Sequence, residues 1–203
     1  QLYLAHLVLN DQNHKLNAAI RLLVDVLFPV CYKCKEKQLY IRGLYMKCQI
    51  RPWTLEDAAD LAEALNNKNI QNNLRDGLPY PYTQSDALDF IQAMLNSDKD
   101  ATYAFAIVSD GKAVGSIGVF RQNNIHRLTA EMGYYIAEPF WGKGLGTDAI
   151  KQVSQYIFNN TDIIRIFAEP FAYNTASCRI LEKSGFVFEG TLRSNAIKNG
   201  QII

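Results

Sequence analysis

The segment Trp141-Gly142-Lys143-Gly144-Leu145-Gly146-Thr147 constrains this chain more than any other. It follows an apolar, strand-like run over residues 130–137 and opens a helix-like run over residues 147–158. Glycines at alternate positions let backbone N–H groups approach a ligand with no Cβ in the way. The helix that follows brings four unpaired amides and its positive dipole end to the same point. Such a unit suits phosphate, so the segment reads as a pyrophosphate cradle. The competing reading is a tight structural turn. No Lys-Ser/Thr pair closes it and its spacing is not G-x-G-x-x-G, which separates it from the P-loop and the dinucleotide fingerprint.

Further along, Asn174-Thr175-Ala176-Ser177-Cys178-Arg179-Ile180-Leu181-Glu182-Lys183-Ser184-Gly185-Phe186 reads as a short helix capped by Asn174 and ended by Gly185. Strand, W-G-K-G-L-G turn and N-x-x-S…E-K-S-G-F helix together resemble the GCN5-related N-acetyltransferase (GNAT) superfamily, and within it the RimJ/RimL-like branch. The resemblance covers roughly residues 47–203 and implies acetyl-CoA as co-substrate. It implies that Trp141, Gly142, Lys143, Gly144, Leu145, Gly146 and Thr147 grip the pyrophosphate and that Asn174 holds the pantetheine arm. It further implies that two strands splay nearby, so that the backbone of Tyr135, Ile136 and Ala137 pairs with that arm as a pseudo-strand. Trp141 stands where many members carry Arg or Gln.

Length and composition agree with one catalytic domain. A chain of 203 residues, 48% hydrophobic, can bury a sizeable core. The longest apolar stretch, residues 22–30, is interrupted by Asp25 and is far short of a membrane span. Residues 1–45 carry six Lys/Arg and three Asp/Glu, and the remainder carries 15 and 17. A near-neutral domain has no electrostatic footprint for nucleic acid. The expected partners are therefore an amine acceptor, with no nucleic acid and no membrane, for a monomer or homodimer. Four cysteines make no disulfide framework in a chain this long, and Cys31-Tyr32-Lys33-Cys34 lacks the second ligand pair a zinc site needs. His6 and His14 are badly spaced to complete one, so no metal is expected. Cys178 reads as a packed thiol, and cysteine usage points to a reducing, cytoplasmic setting.

Residues 1–45 stand apart from the resemblance. Leu16, Ile20, Leu23, Val24 and Leu27 form one helical stripe that Pro29 ends. Arg42-Gly43 can be encoded by a purine-rich AGG-GGN a short spacer before Met46. The expectation is that residues 1–45 are leader or fusion sequence outside the catalytic domain, with Met46 the native start. The alternative is an accessory helical segment. Residues 46–203 then form the acetyltransferase domain, incomplete at its C-terminal end.

Within that domain, Thr54 opens a helix that runs to residue 66, and residues 68–75 offer a second. The 76–83 loop is stiffened by Pro79 and Pro81, and Thr83 or Ser85 caps a third helix through Leu95. Asp110-Gly111 joins two strands of a meander completed by residues 128–137. Residues 163–169 form a later strand, and a run from Phe186 leads to the hairpin signal Asn199-Gly200. This order implies an α/β fold with a mixed sheet of about six or seven strands, antiparallel in its first half, with helices on both faces. The last strand reads as truncated, because only Gln201-Ile202-Ile203 follow the turn, and residues 186–192 would then be left unpaired as an aggregation-prone edge.

Direct transfer to an amine needs a neutral nitrogen and a proton for the departing thiolate. At pH 7 a lysine amine costs about 3.4 pK units, about 4.6 kcal/mol, to deprotonate, and a protein α-amine only about one unit. The resemblance implies a carboxylate on this strand that activates the amine through water, and Glu131 is the candidate base: it shares a strand face with Gly133 and Tyr135, opposite Met132, Tyr134 and Ile136. Its bland alternative is a solvated residue or a partner for Arg165 or Arg127. Ser177, one turn after Asn174, is the candidate acid by the branch resemblance; the alternative is a small residue facing the sheet. Leu181 occupies the position where many members place a tyrosine acid, and Tyr134 or Tyr135 could substitute. The chain is thus expected to be an acetyl-CoA-dependent N-acetyltransferase acting on a protein N-terminal α-amine. The alternatives are a small amine (polyamine, amino acid or aminoglycoside) as acceptor, or a catalytically silent CoA-binding regulatory module. The acceptor pocket is expected between the 76–83 loop and the last hairpin.

Overall fold

The computed structural model describes residues 1–8 and 47–203. The stripe from Leu16 to Leu27, the Cys31/Cys34 pair, His14 and the Met46 start lie outside the described residues. Strand β1 (Leu2–Val8) comes first, followed by β2 (Gln49–Pro52). Thr54 then closes a capping box with Asp57, whose carboxylate accepts from the Thr54 N–H at 2.9 Å and its hydroxyl at 3.0 Å. That box starts a 3-10 turn that leads into α1 (Ala58–Leu65). Helix α2 (Lys68–Gln71) is a single turn, shorter than the sequence suggests, capped by Asn67. Helix α3 (Gln84–Leu95) is capped by Thr83, with Asp86 accepting from the Thr83 N–H at 2.7 Å.

Strands β3 (Thr102–Ser109) and β4 (Lys112–Arg121) flank Asp110 and Gly111, both at positive φ (51° and 79°), as a two-residue hairpin turn requires. After β5 (Thr129–Ile136) come α4 (Leu145–Asn160), β6 (Arg165–Ala168), α5 (Thr175–Lys183) and β7 (Val187–Leu192). The chain closes with the short hairpin of β8 (Ile197–Lys198) and β9 (Gln201–Ile202), turning on Asn199 and Gly200 at φ 49° and 77°.

The seven-stranded sheet has the order β2-β3-β4-β5-β6-β1-β7. Its first four strands are antiparallel, β5 and β6 are parallel, and β1 runs antiparallel to both its neighbours. Helices cover both faces. On one, α4 and α5 bury Ile150, Val153 and Leu181 against Ile117, Val119 and Met132. On the other, α1 and α3 bury Leu61 and Ile91 against Ala106 and Val108. Each fully buried aliphatic side chain contributes about 1.5–3 kcal/mol, which fixes the two layers on the sheet. The mixed α/β architecture matches the sequence reading.

Two expectations are corrected by β1. The stretch 1–45 was set outside the domain, yet Leu2–Val8 fills the slot between β6 and β7, and Ala5 is fully buried there. Residues 186–192 were expected to lack a partner, yet β7 pairs along β1 from Leu2↔Leu192 to His6↔Val187. The reason is distance along the chain. The partners of β1 are β6 and β7, at the opposite end of the sequence, so no local pattern ties LYLAHLV to them.

Candidate functional site

The register of β5 and β6 opens a cleft. They pair only from Thr129↔Arg165 to Glu131↔Phe167, and β6 ends at Ala168, while β5 continues to Ile136. The Ala137 N–H donates to Val114 at 2.8 Å on the β4 side. Backbone groups alternate sides along a strand, so Ile136 turns its own toward the gap. There its carbonyl accepts the Trp141 indole N–H at 2.7 Å. The two strands thus splay, and by the same alternation Tyr135 and Ala137 turn their backbone groups to β4, so that of the three expected edge residues Ile136 alone faces the gap, with the indole anchored to it at the mouth of the glycine turn.

Gly142 and Gly144 have φ of 74° and 80°, and Gly144 is the N-cap of α4. The helix begins at Leu145, earlier than the sequence suggests, so the amides of Leu145, Gly146 and Thr147 are its unpaired first turn. A Cβ on Gly144 would sit 2.6 Å from the Lys47 ammonium and would force a strained left-handed residue. A Cβ on Gly146 would instead meet Ile180 at 3.3 Å, so this glycine serves the packing of α4 on α5. Lys143 lies over the Phe140 ring at 4.7 Å. Lys47 is a cation at the loop that sequence reasoning missed. It is placed by Asp148, which accepts the N–H groups of Lys47 (2.7 Å) and Cys48 (3.1 Å).

Helix α5 brings two more side chains to the cleft from the α4 face of the sheet. The Asn174 side chain accepts from the Ser177 N–H at 3.2 Å, the expected cap. Ser177 Oγ lies 2.7 Å from the Tyr134 hydroxyl. Burial raises the Tyr134 phenol, which remains protonated at any working pH. Cys178 is buried and burial raises its thiol, the packed residue the sequence suggested.

Glu131 lies on the opposite face of β5, at the last position paired with β6. Its partner is neither Arg165, which pairs with Glu189 at 2.5 Å, nor Arg127, but Arg75 at the end of the α2 region. Burial raises the Glu131 pKa; the Arg75 charge lowers it in part and Glu169 raises it further. The Tyr135 ring packs against the α1–α3 core, and its buried hydroxyl has no hydrogen-bond partner among the described residues. Beside Arg75 lies a pocket of about 260 Å³ lined by Lys68, Asp76, Tyr80, Lys198 and Asn199. Lys198 Nζ (2.6 Å) and the Asn199 N–H (3.1 Å) both reach Asp76, tying the β8–β9 hairpin to the 76–83 loop. Among the described residues no group of three metal-ligating side chains is present, and no helix is long and apolar enough to cross a membrane.

The Acetyltransferase (GNAT) domain family model matches residues 47–187. This chain belongs to the GNAT acetyltransferase family. Membership makes it a transferase that takes acetyl-CoA as donor for acetylation of an amine. The Probable N-acetyltransferase YjcK of Bacillus subtilis (strain 168) is 36% identical over 105 residues, 51% of this chain and 58% of YjcK. Spermidine N(1)-acetyltransferase of Escherichia coli (strain K12) is 27% identical over 154 residues, 75% of this chain and 80% of that protein. Among solved structures, RimL, a ribosomal L7/L12 alpha-N-protein acetyltransferase in complex with coenzyme A, superposes with a TM-score of 0.68 at 20% identity, covering 77% of this chain and 89% of RimL. That likeness shows the GNAT fold.

Proposed function

We propose that this chain acetylates a protein N-terminal α-amine directly, with no acetyl-enzyme. The observation that carries the reading is the β5–β6 cleft, which opens directly after Glu131, with that carboxylate on one face of the sheet and the Tyr134–Ser177 hydroxyl pair on the other. The donor fits this cleft. The left-handed glycine turn at the α4 N-terminus and the Lys47 ammonium suit its pyrophosphate, and the stretch of β5 beyond its pairing with β6 suits its pantetheine arm. In this reading Trp141, Gly142, Lys143, Gly144, Leu145, Gly146 and Thr147 form the cradle. Asn174 and the β5 edge at Ile136 hold the arm. The donor supplies an acetyl thioester. Glu131 takes the proton that the attacking amine loses, its raised pKa bringing it closer to a proton acceptor's working range. The Ser177 hydroxyl, backed by Tyr134, returns a proton to the leaving thiolate.

The acceptor assignment rests on chemistry and on charge. An α-amine is already partly neutral near pH 7, whereas a lysine or polyamine is not. Lys68, Arg75 and Lys198 at the pocket also oppose a polycation, which separates this pocket from the substrate named for the spermidine relative. Buried free thiols at Cys48 and Cys178 accord with action in a reducing cytoplasm. A panel of peptides, spermidine and aminoglycosides, followed by release of free CoA thiol, tests the proposal. Turnover with peptides bearing a free α-amine, and none with the same peptides blocked at that amine, is the expected result. Turnover confined to spermidine or aminoglycosides would refute it.

A further inference from the structure

The proposed acceptor pocket carries more positive than negative side chains: Lys68, Arg75 and Lys198 against Asp76. Two of these cations are engaged within the pocket wall. Lys198 is bound to Asp76 at 2.6 Å, and the Lys68 ammonium lies 3.6 Å from the centre of the Tyr80 ring. Arg75 differs. Its side chain is 77% exposed, and among the described residues its hydrogen-bonding partner is Glu131 alone. A carboxylate held by a guanidinium is a poorer proton acceptor, because the cation stabilises the charged form and occupies an oxygen. Glu131 must therefore exchange Arg75 for the incoming amine before it can act as base.

The charge of the acceptor decides how easily that exchange occurs. A simple ammonium displacing Arg75 leaves the guanidinium without a partner, and a polyamine adds charge to the side already positive. An acceptor that carries its own carboxylate resolves both problems: its amine takes Glu131 and its carboxylate takes Arg75. Two ion pairs replace one, and the planar fork of Arg suits a carboxylate bidentately. We propose that Arg75 is a specificity-determining residue, selecting an α-amine with a carboxylate a few bonds away. That chemistry is met by an N-terminal Asp or Glu of a peptide and by the free acidic amino acid. The inference rests on the proposed function and deepens it. Asp76 already occupies Lys198 and the Asn199 amide, so the acceptor carboxylate meets Arg75 rather than Lys198.

The test uses the full chain and peptides identical except for a first residue of Asp, Asn, Glu, Gln or Lys, with free aspartate and glutamate as further arms. Wild type is compared with Arg75→Gln and Arg75→Lys by thiol release, with acetyl-CoA affinity by calorimetry reporting an intact fold. The expected result is kcat/KM at least about tenfold higher for Asp over Asn and Glu over Gln, about 1.4 kcal/mol, carried mainly by KM. Arg75→Gln should collapse the ratio toward one and Arg75→Lys restore part of it. A preference for the peptides marks a protein N-terminus as the source, and a preference for the free acids marks an amino acid. Equal use of Asp and Asn by wild type, or a preference that survives Arg75→Gln, overturns this inference alone. Absence of thiol release with every amine overturns the transferase reading along with it.

Discussion

Burial and the Arg75 guanidinium pull the Glu131 carboxyl in opposite directions, and burial wins, so its pKa lies above the ordinary value. The group therefore binds protons more tightly in the fold than in the unfolded chain, and stability falls as pH rises through the window just above 4.5. Glu131→Gln removes that penalty. It should melt no lower than wild type at pH 8 while losing about 100-fold or more in kcat/KM. A lower melting temperature with activity retained would contradict the role. Because Arg75 lowers this pKa, Arg75→Gln should move the acid limb of the pH–rate profile upward. The face that Glu131 takes, opposite Tyr134, was legible in the sequence because strand alternation sets it. Arg75 and Lys47 were not, since each reaches its place through a contact between residues far apart in the chain. Gly144 and Gly146 look alike in the motif, and only φ and the neighbouring Ile180 separate a left-handed turn residue from one packed against the next helix.

At the scale of elements, caps and turns were read well because they are local. Thr54, Thr83, Asn174 and the Asp110-Gly111 and Asn199-Gly200 turns all stand where the sequence puts them. Lengths were less legible: α2 is one turn, and the run from Phe186 to the last turn divides into β7 and a two-residue β8. The capping box before α1 is also a tertiary joint. Asp57, 5% exposed, bonds Arg51 of β2 at 2.6 and 2.7 Å besides Thr54. Burial raises its pKa, yet the Arg51 and Thr54 hydrogen bonds together hold it below the ordinary value. Its contribution is thus complete above pH 3.8 and is lost as pH falls through the lowered folded value. Asp57→Ala should destabilise by about 2–4 kcal/mol at pH 7, with the deficit shrinking in acid. Denaturant titrations at both pH values check this, and a pH-independent deficit would refute it.

The whole molecule is organised around a slot that local sequence does not reveal. The antiparallel meander, the β5–β6 junction and both helical layers follow from adjacent signals. The strand between β6 and β7 comes from Leu2–Val8. Its start also holds the loop leading to Asn174: the Tyr3 N–H donates to Pro170 at 2.8 Å, and the Ala172 N–H to Gln1 at 2.7 Å. Tyr173 from that loop donates to Asn72 at 2.8 Å, so β1 is linked to both walls of the proposed site. Ala5→Asp places an unpaired charge where exposure is 0% and should cost more than about 4 kcal/mol, lowering acetyl-CoA affinity in parallel. Thermal melting and calorimetry of this variant decide the point; wild-type values for both would place β1 outside the working fold. The central claim, that the cleft delivers acetyl to an α-amine, is tested most directly by fragmentation mass spectrometry of a peptide carrying both a free N-terminus and a lysine, after incubation with acetyl-CoA. The expected result is an acetyl group on the N-terminal nitrogen with wild type and little with Glu131→Gln. Acetyl on the lysine alone, or equal N-terminal labelling by the two proteins, would contradict it.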